Sequence, residues 1–172
     1  MNVYELTIHK KRVAVLIGKK GSTKRKIEKT TSTKLEIDSE SGLITIKSED
    51  SLKVYQTKSI IEAIGRGFNP NTALTLLDEE NCFEIIPIQN FSGKNKNKLL
   101  RIKARIIGTK GKCRRTIEHL TNTEISIYGK TVSIIGELQS VLIAKKAVED
   151  ILAGAPHNPV YKTLELSMKN LK

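Results

Sequence analysis

Two short stretches of this chain combine residue types that can hold a polyanion. Residues 17–28 read IGKKGSTKRKIE and residues 107–118 read IGTKGKCRRTIE. In each, two glycines bracket a two-residue tip, Gly18-Lys19-Lys20-Gly21 and Gly108-Thr109-Lys110-Gly111. Glycine lets a backbone bend tightly where a Cβ would clash. A helix that starts just beyond such a turn bares its first amide N–H groups, and its dipole favours an anion there. Cations surround both turns. Lys24 and Arg25 follow the first; Arg101, Lys103 and Arg105 precede the second, and Lys112, Arg114 and Arg115 follow it. The chemistry this suits is a grip on sugar-phosphate backbone.

Other chemistries fit the residues poorly. A phosphate-binding P-loop needs four residues between its glycines and a following Ser or Thr, and GTKGK has neither. Cys113 stands at a helix start among cations, a setting that lowers a thiol pKa, yet no His or acid is spaced to pair with it. Cys82 and Cys113 alone build neither a disulfide framework nor a zinc site. His9, His119 and His157 show no ligand spacing and read as surface or packing residues. No carboxylate pair suggests hydrolysis. The expectation is a protein that is not an enzyme and uses no metal or cofactor.

The two stretches belong to one repeated unit. Ile, Gly, Lys, Gly, Arg, Ile and Glu recur at an offset of 90, and the match runs on from TSTKLEI at Thr31 to TNTEISI at Thr121. After the next turn the offset is 88, pairing Ile44 and Ile46 with Val132 and Ile134. Alternation makes Val3–Ile8 a strand. Arg12–Ile17 is a short helix ended by Gly18, and Ser22 offers an N-cap for a second helix over Thr23–Thr31. Strands Leu35–Ile37 and Leu43–Lys47 flank an SESG turn. Asp50 or Ser51 caps a long helix whose apolar face is Leu52, Tyr55, Ile60, Ile61 and Ile64. The second copy gives a strand at Phe83–Ile88, with Pro87 suggesting an edge or a bulge. A polar loop at Ser92–Lys98 leads to helices at Lys98–Ile107 and Cys113–Leu120. Strands at Glu124–Ile127 and Thr131–Ile135 and a helix at Glu137–Leu152 complete it. Between the copies, Pro70 opens a short helix with Ala73, Leu74 and Leu77 inward. Beyond Pro159, an amphipathic helix would use Val160, Leu164 and Met168.

Composition agrees with a folded, basic binder. Of 172 residues, 38% are hydrophobic and 28% charged, and the net charge is +12. Residues 1–66 carry net +6, residues 67–89 net −4 and residues 90–172 net +10. From Lys94 to Arg115 there are ten basic side chains and no acidic one. Such an excess points to nucleic acid before an acidic membrane surface. No apolar run approaches the ~20 residues that span a bilayer, and MNVYELTIHKKR lacks the charge-then-apolar order of a secretory signal. A cytoplasmic location is the expectation. Aromatic residues are only 4%, which disfavours a module that stacks bases on a sheet and suits one that reads base edges.

The order strand-helix-helix-strand-strand-helix around IGxxGxxxxxIE resembles the KH domain of eukaryotic-type topology, present twice. The segments VAVLIGKKGSTKRKIEK, LEIDSESGLITI, AIGRGFNP, IIGTKGKCRRTIE, ISIYGKTVSIIG and GAPHNPVY carry the resemblance further. They are similar to the archaeal Dim-two, or partner of Nob-one, family of ribosome-biogenesis proteins. The resemblance implies an α+β fold of two tandem type I KH domains, each a three-stranded antiparallel sheet backed by three helices. The first domain covers 1–66, a helical linker 67–80, and the second domain with a C-terminal tail 81–172. It also implies RNA binding through Gly18, Lys19, Lys20 and Gly21 and through Gly108, Thr109, Lys110 and Gly111, and the neighbouring cations Lys24, Arg25, Arg101, Arg105, Lys112, Arg114 and Arg115 are expected to join them.

Thr109 departs from the Lys or Gly expected there and removes one phosphate contact. The second copy nevertheless carries more cations and is expected to be the tighter grip. The implied target is the 3′ region of small-subunit rRNA or pre-rRNA, whose processing the family assists. The implied protein partners are the Nob endonuclease and the alpha subunit of translation initiation factor two. Two alternatives stay open: a general single-stranded nucleic-acid binder, or an interaction scaffold in which one copy faces a protein.

Overall fold

Each repeat folds because its alternating and helical apolar residues can cover one another only in one order. The structure, a computed structural model, describes all 172 residues. The first repeat comprises β1 (Asn2–Thr7), α1 (Lys10–Ile17), α2 (Ser22–Thr31), β2 (Lys34–Asp38), β3 (Leu43–Ser48) and α3 (Ser51–Gly65), followed by the short α4 (Pro70–Leu74). The second comprises β4 (Asn81–Pro87), α5 (Gln89–Ser92), α6 (Lys96–Ile107), α7 (Lys112–Thr121), β5 (Glu124–Tyr128), β6 (Thr131–Glu137) and α8 (Leu138–Leu152), with α9 (His157–Asn170) after it.

Both sheets are antiparallel and three-stranded, ordered β1-β3-β2 and β4-β6-β5. The strand after the hairpin turn therefore lies in the middle, and β2 and β5 each keep one free edge. Leu35 stands opposite Ile46 and Ile37 opposite Ile44; in the second sheet Ile125 faces Ile134 and Ile127 faces Val132. Period-two alternation puts Ile44 and Ile46, both fully buried, on the helix-covered side. Leu16, Ile27, Ile60, Ile61 and Ile64 close that core from the helices, as Ile106, Ile117, Val148 and Ile151 close the second. Pro87 ends β4, an edge strand, where its missing N–H costs the ladder nothing.

Several local expectations are corrected. Ser22 is not an N-cap: it has helical torsions, and the left-handed Gly21 stands in the capping place without a side-chain bond. Asp50 does cap α3, accepting from the Leu52 N–H at 2.9 Å. Leu52 and Tyr55 are exposed, not core, because the inward stripe of α3 runs through Val54, Thr57, Ile60, Ile61 and Ile64. Thr57 hid that stripe from a reading of apolar residues; its hydroxyl is satisfied by the Lys53 carbonyl at 2.7 Å. The polar stretch Ser92–Lys98 is partly helical: α5 ends at Ser92, and Asn95 caps α6, which starts two residues early at Lys96.

The domain boundary also falls elsewhere. The chain divides into compact units at Met1–Asp78 and Glu79–Lys172. Residues 67–78, most of the segment read from sequence as a helical linker, pack with the first unit, where Phe68 and Ala73 are buried. The Arg12 guanidinium helps fix them, donating from Nε to the Ile64 carbonyl at 2.8 Å and from Nη2 to that of Phe68 at 2.9 Å. In the second unit α9 uses Val160 and Leu164 to join the core, with Met168 half-buried.

Candidate nucleic-acid interface

The two glycine-bracketed loops fold to the same backbone. Gly18 has φ 74° and ψ 176°, and Gly108 has φ 76° and ψ 172°. One residue inside each tip, Lys20 and Lys110 both sit at φ 54°, ψ 30°. Gly21 and Gly111 follow in the left-handed region at φ 75° and 77°. Gly18 and Gly108 are required sterically as well as conformationally. A Cβ on Gly18 would meet the Thr23 backbone nitrogen at 2.8 Å, and one on Gly108 would meet that of Cys113 at 2.6 Å. The loop is therefore folded hard against the first turn of the helix behind it. Lys19, Lys20, Thr109 and Lys110 are left exposed at the tips.

The cations named from sequence divide into two groups once placed. Lys112 and Arg115 are exposed beside the second loop, and Arg25 beside the first. Arg25 also ties its loop shut, donating from Nη1 to the Lys20 carbonyl at 2.7 Å. Lys24 and Arg114 occupy equivalent places and are paired with equivalent acids, Lys24 with Glu28 at 3.9 Å and Arg114 with Glu118 at 2.6 Å. Their charge is partly spent within the fold. Arg105 is a clamp: Nη1 donates to the Ile151 carbonyl at 2.8 Å and Nη2 to that of Ala155 at 2.6 Å, fastening the end of α8. It does for the second unit what Arg12 does for the first. Arg101 is exposed on the same face of α6, beside the Leu152–Gly154 end of α8 and not at the loop.

Sequence reasoning expected base edges to be read beside the loops but missed the strand edge that can do it. Glu28 accepts from the Leu35 N–H at 2.9 Å, and Glu118 from the Ile125 N–H at 2.9 Å. Those amides point away from the central strand. In an antiparallel strand the N–H and C=O of alternate residues share one edge, so Ile37 and Ile127 present theirs outward too. Both isoleucines are half-buried, and on the preceding helices exposed Ala14 and Ala104 and half-buried Ile17 and Ile107 lead into the loops. Each loop thus offers cations for phosphates, and the apolar residues and strand edge offer contact and hydrogen bonds for base edges. The available signal was the acid itself, one Glu at the same place of two otherwise cationic segments. Burial outweighs the Ile125 N–H and the Arg114 charge at Glu118 and holds its carboxyl above the usual range.

Cys113 is buried directly behind the second loop. Burial pushes its thiol up, against the lowering read from the nearby cations, and the Tyr161 hydrogen bond and Arg105 charge offset this only in part. No three His, Cys, Asp or Glu side chains are grouped as a metal site would need. No helix is long and apolar enough to cross a membrane.

Comparison with known proteins agrees with this geometry. The family model described as eukaryotic-type KH-domain (KH-domain type I) matches residues 82–169, and the KH domain model matches residues 3–63. A KH domain-containing protein of Methanocaldococcus jannaschii is 48% identical over 97% of this chain and 74% of its own length. The RNA-binding protein pno1 of Dictyostelium discoideum is 28% identical over 78% of this chain, which spans 59% of that protein. Among solved structures, Dim2p from Pyrococcus horikoshii has TM-score 0.90 at 45% identity, covering 96% of this chain and 99% of that one. A chain in the a/eIF2alpha-aDim2p-rRNA complex of the same organism has TM-score 0.91 at 44% identity, covering 98% and 95%.

Proposed function

Because the chain belongs to the Dim2/Pno1 family of tandem KH-domain proteins, we propose that it binds single-stranded RNA, with the 3′ region of small-subunit rRNA or its precursor as target. In this reading it is a cytoplasmic assembly factor for the small ribosomal subunit and assists rRNA processing without catalysing a step itself. The alpha subunit of translation initiation factor two and the Nob endonuclease are its protein partners. The observation that carries the reading is the loop built twice to the same torsions, each time with exposed cations and a free strand edge beside it. The solved complex of the Pyrococcus relative supports rRNA and the alpha subunit as ligands.

The mechanism follows from the parts. The loop presses on the sugar-phosphate backbone and holds about four nucleotides, the usual span of a KH clamp. Ile37 and Ile127 offer backbone N–H and C=O groups to the Watson–Crick edge of an unstacked base, while Ile17 and Ile107 supply van der Waals contact. A duplex cannot present its bases this way, so the preference is for single strands.

Crosslinking the protein to total cellular RNA and mapping the positions tests the target. Contacts concentrated at the 3′ end of small-subunit rRNA are expected. Contacts scattered over unrelated RNAs would sink the target assignment and leave a general single-strand binder. Competition between RNA and DNA of one sequence separates those further, since only RNA offers a 2′-OH.

A further inference from the structure

The second unit carries a helix that the first lacks, and its charged face is turned to one place. Between α7 and α9 lies a depression of about 340 Å³ that begins at Lys112, the residue after Gly111, and is bordered by Arg115, His119, Tyr161 and Glu165. It shares His119, Leu120 and Glu165 with a second, larger depression of about 850 Å³. The larger one is lined by apolar Leu120, Met168 and the exposed Leu166 together with Lys162, Lys169 and Lys172. The two form one trough that leaves the loop and runs along α7 to the C-terminal end of α9. Its lining has five Lys or Arg side chains against one acid, Glu165. Helical spacing explains the alignment. Lys162, Leu166 and Lys169 recur every three or four residues on one face of α9, while Val160 and Leu164 bury the opposite face.

We infer that this trough is a second RNA subsite, in which the strand leaving the Gly108–Gly111 loop continues over α7 and α9. The inference rests on the reading of that loop as an RNA clamp and adds the residues that extend it. Apolar side chains set among cations suit bases lying on Leu and Met with their phosphates turned to Lys. Continuity with the loop favours the same strand over an acidic protein, because Lys112 and Arg115 border both. The first loop has no such extension, since only the five-residue α4 follows α3 there. The second unit therefore holds a longer segment than the first.

The test is the K162E/K169E double variant of the full chain, both positions being exposed, measured against a four-nucleotide and a twelve-nucleotide RNA. Thermal unfolding is followed in parallel. The expected result is wild-type affinity for the short RNA and a roughly tenfold loss for the long one, with the salt slope falling by about 1.4 for two phosphates. A K110D variant should lose both RNAs. Wild-type affinity and slope for the long RNA in K162E/K169E, with K110D still impaired, would overturn the trough and leave the clamp standing. If K110D binds both as wild type, the clamp reading falls and the trough with it. Trough-dependent binding of polyglutamate, without trough-dependent binding of the long RNA, would mark an acidic-protein surface instead and overturn the assignment.

Discussion

Gly18 and Gly108 are held by two independent constraints, and Gly21 and Gly111 by one. The first pair combines positive φ with extended ψ, a region almost reserved to glycine, and meets helix backbone where a Cβ would be. The second pair sits in the ordinary left-handed region, where the nearest atom to an added Cβ is the movable end of Arg25 or Arg115 at 3.1 Å. We expect Gly108→Ala to cost about 1–3 kcal/mol or more and to misplace the Lys110 tip. Gly111→Asn should fold nearly as the wild type, since Asn tolerates this region. Urea unfolding of the two variants checks the contrast; equal losses would refute it. The repeats suggest a gain as well. Ser32 and Asn122 both end helices with left-handed torsions, at φ 55° and 53°. Ser32→Asn should therefore stabilise the first unit by a few tenths of a kcal/mol, roughly, because Asn enters that region more readily than Ser.

Helices and strands were mostly legible, because each repeat acts as a check on the other. The pattern of Ile27 and Ile117, or Ile44 and Val132, fixes which face is inward without any homologue. What escaped were contacts between elements far apart in sequence. Nothing in the spacing of Arg105 distinguishes a phosphate ligand from a side chain reaching carbonyls at 151 and 155, and Arg12 looks like surface until α3 and Phe68 are placed. These clamps make a prediction. Arg105→Ala should lower stability by about 1–3 kcal/mol, because the Ala155 carbonyl loses its donor while that of Ile151 keeps the Gly154 N–H at 3.0 Å, and Arg105→Lys should recover only part. RNA affinity of the folded fraction should stay near wild type; a large loss of affinity without loss of stability would return Arg105 to the interface.

The hairpin between β2 and β3 predicts a pH effect. Asp38 accepts from the Ser41 hydroxyl at 2.7 Å and the Glu40 N–H at 3.0 Å, and Glu36 pairs with Lys47 at 2.8 Å. The Ser41 bond at Asp38 and the Lys47 bond at Glu36 hold both carboxyls below the usual carboxylate range. Their contribution is complete above that range and is lost as pH falls through the lowered folded values. Glu118, raised by burial, has the opposite sign: its contribution is full below its unfolded value and is lost as pH rises through the folded one. Acid should therefore weaken the β2–β3 hairpin before β5, read as hydrogen-exchange protection across a pH series. Asp38→Asn should flatten the hairpin's acid response.

For the molecule as a whole, the net charge of +12 resolves into placed groups. Some cations are internal, such as Arg12, Arg105 and Arg114; others stand exposed at the loops and, in the second unit, along the trough. Counting residues between Lys94 and Arg115 overstated the charge that α6 and α7 leave free, because Arg105 and Arg114 are engaged within the fold. The aromatic scarcity is consistent with a site that would meet bases through a strand edge and apolar contacts, not by stacking. Binding should be steeply salt-dependent, with a slope of roughly 0.7 for each phosphate neutralised on a single strand. The most direct measurement of the central claim is a titration of a single-stranded RNA with the wild type and with K19D/K20D and T109D/K110D, each verified as folded. Weaker binding and a shallower salt slope are predicted for both variants, with the larger loss in T109D/K110D. Unchanged affinity in T109D/K110D would contradict the account.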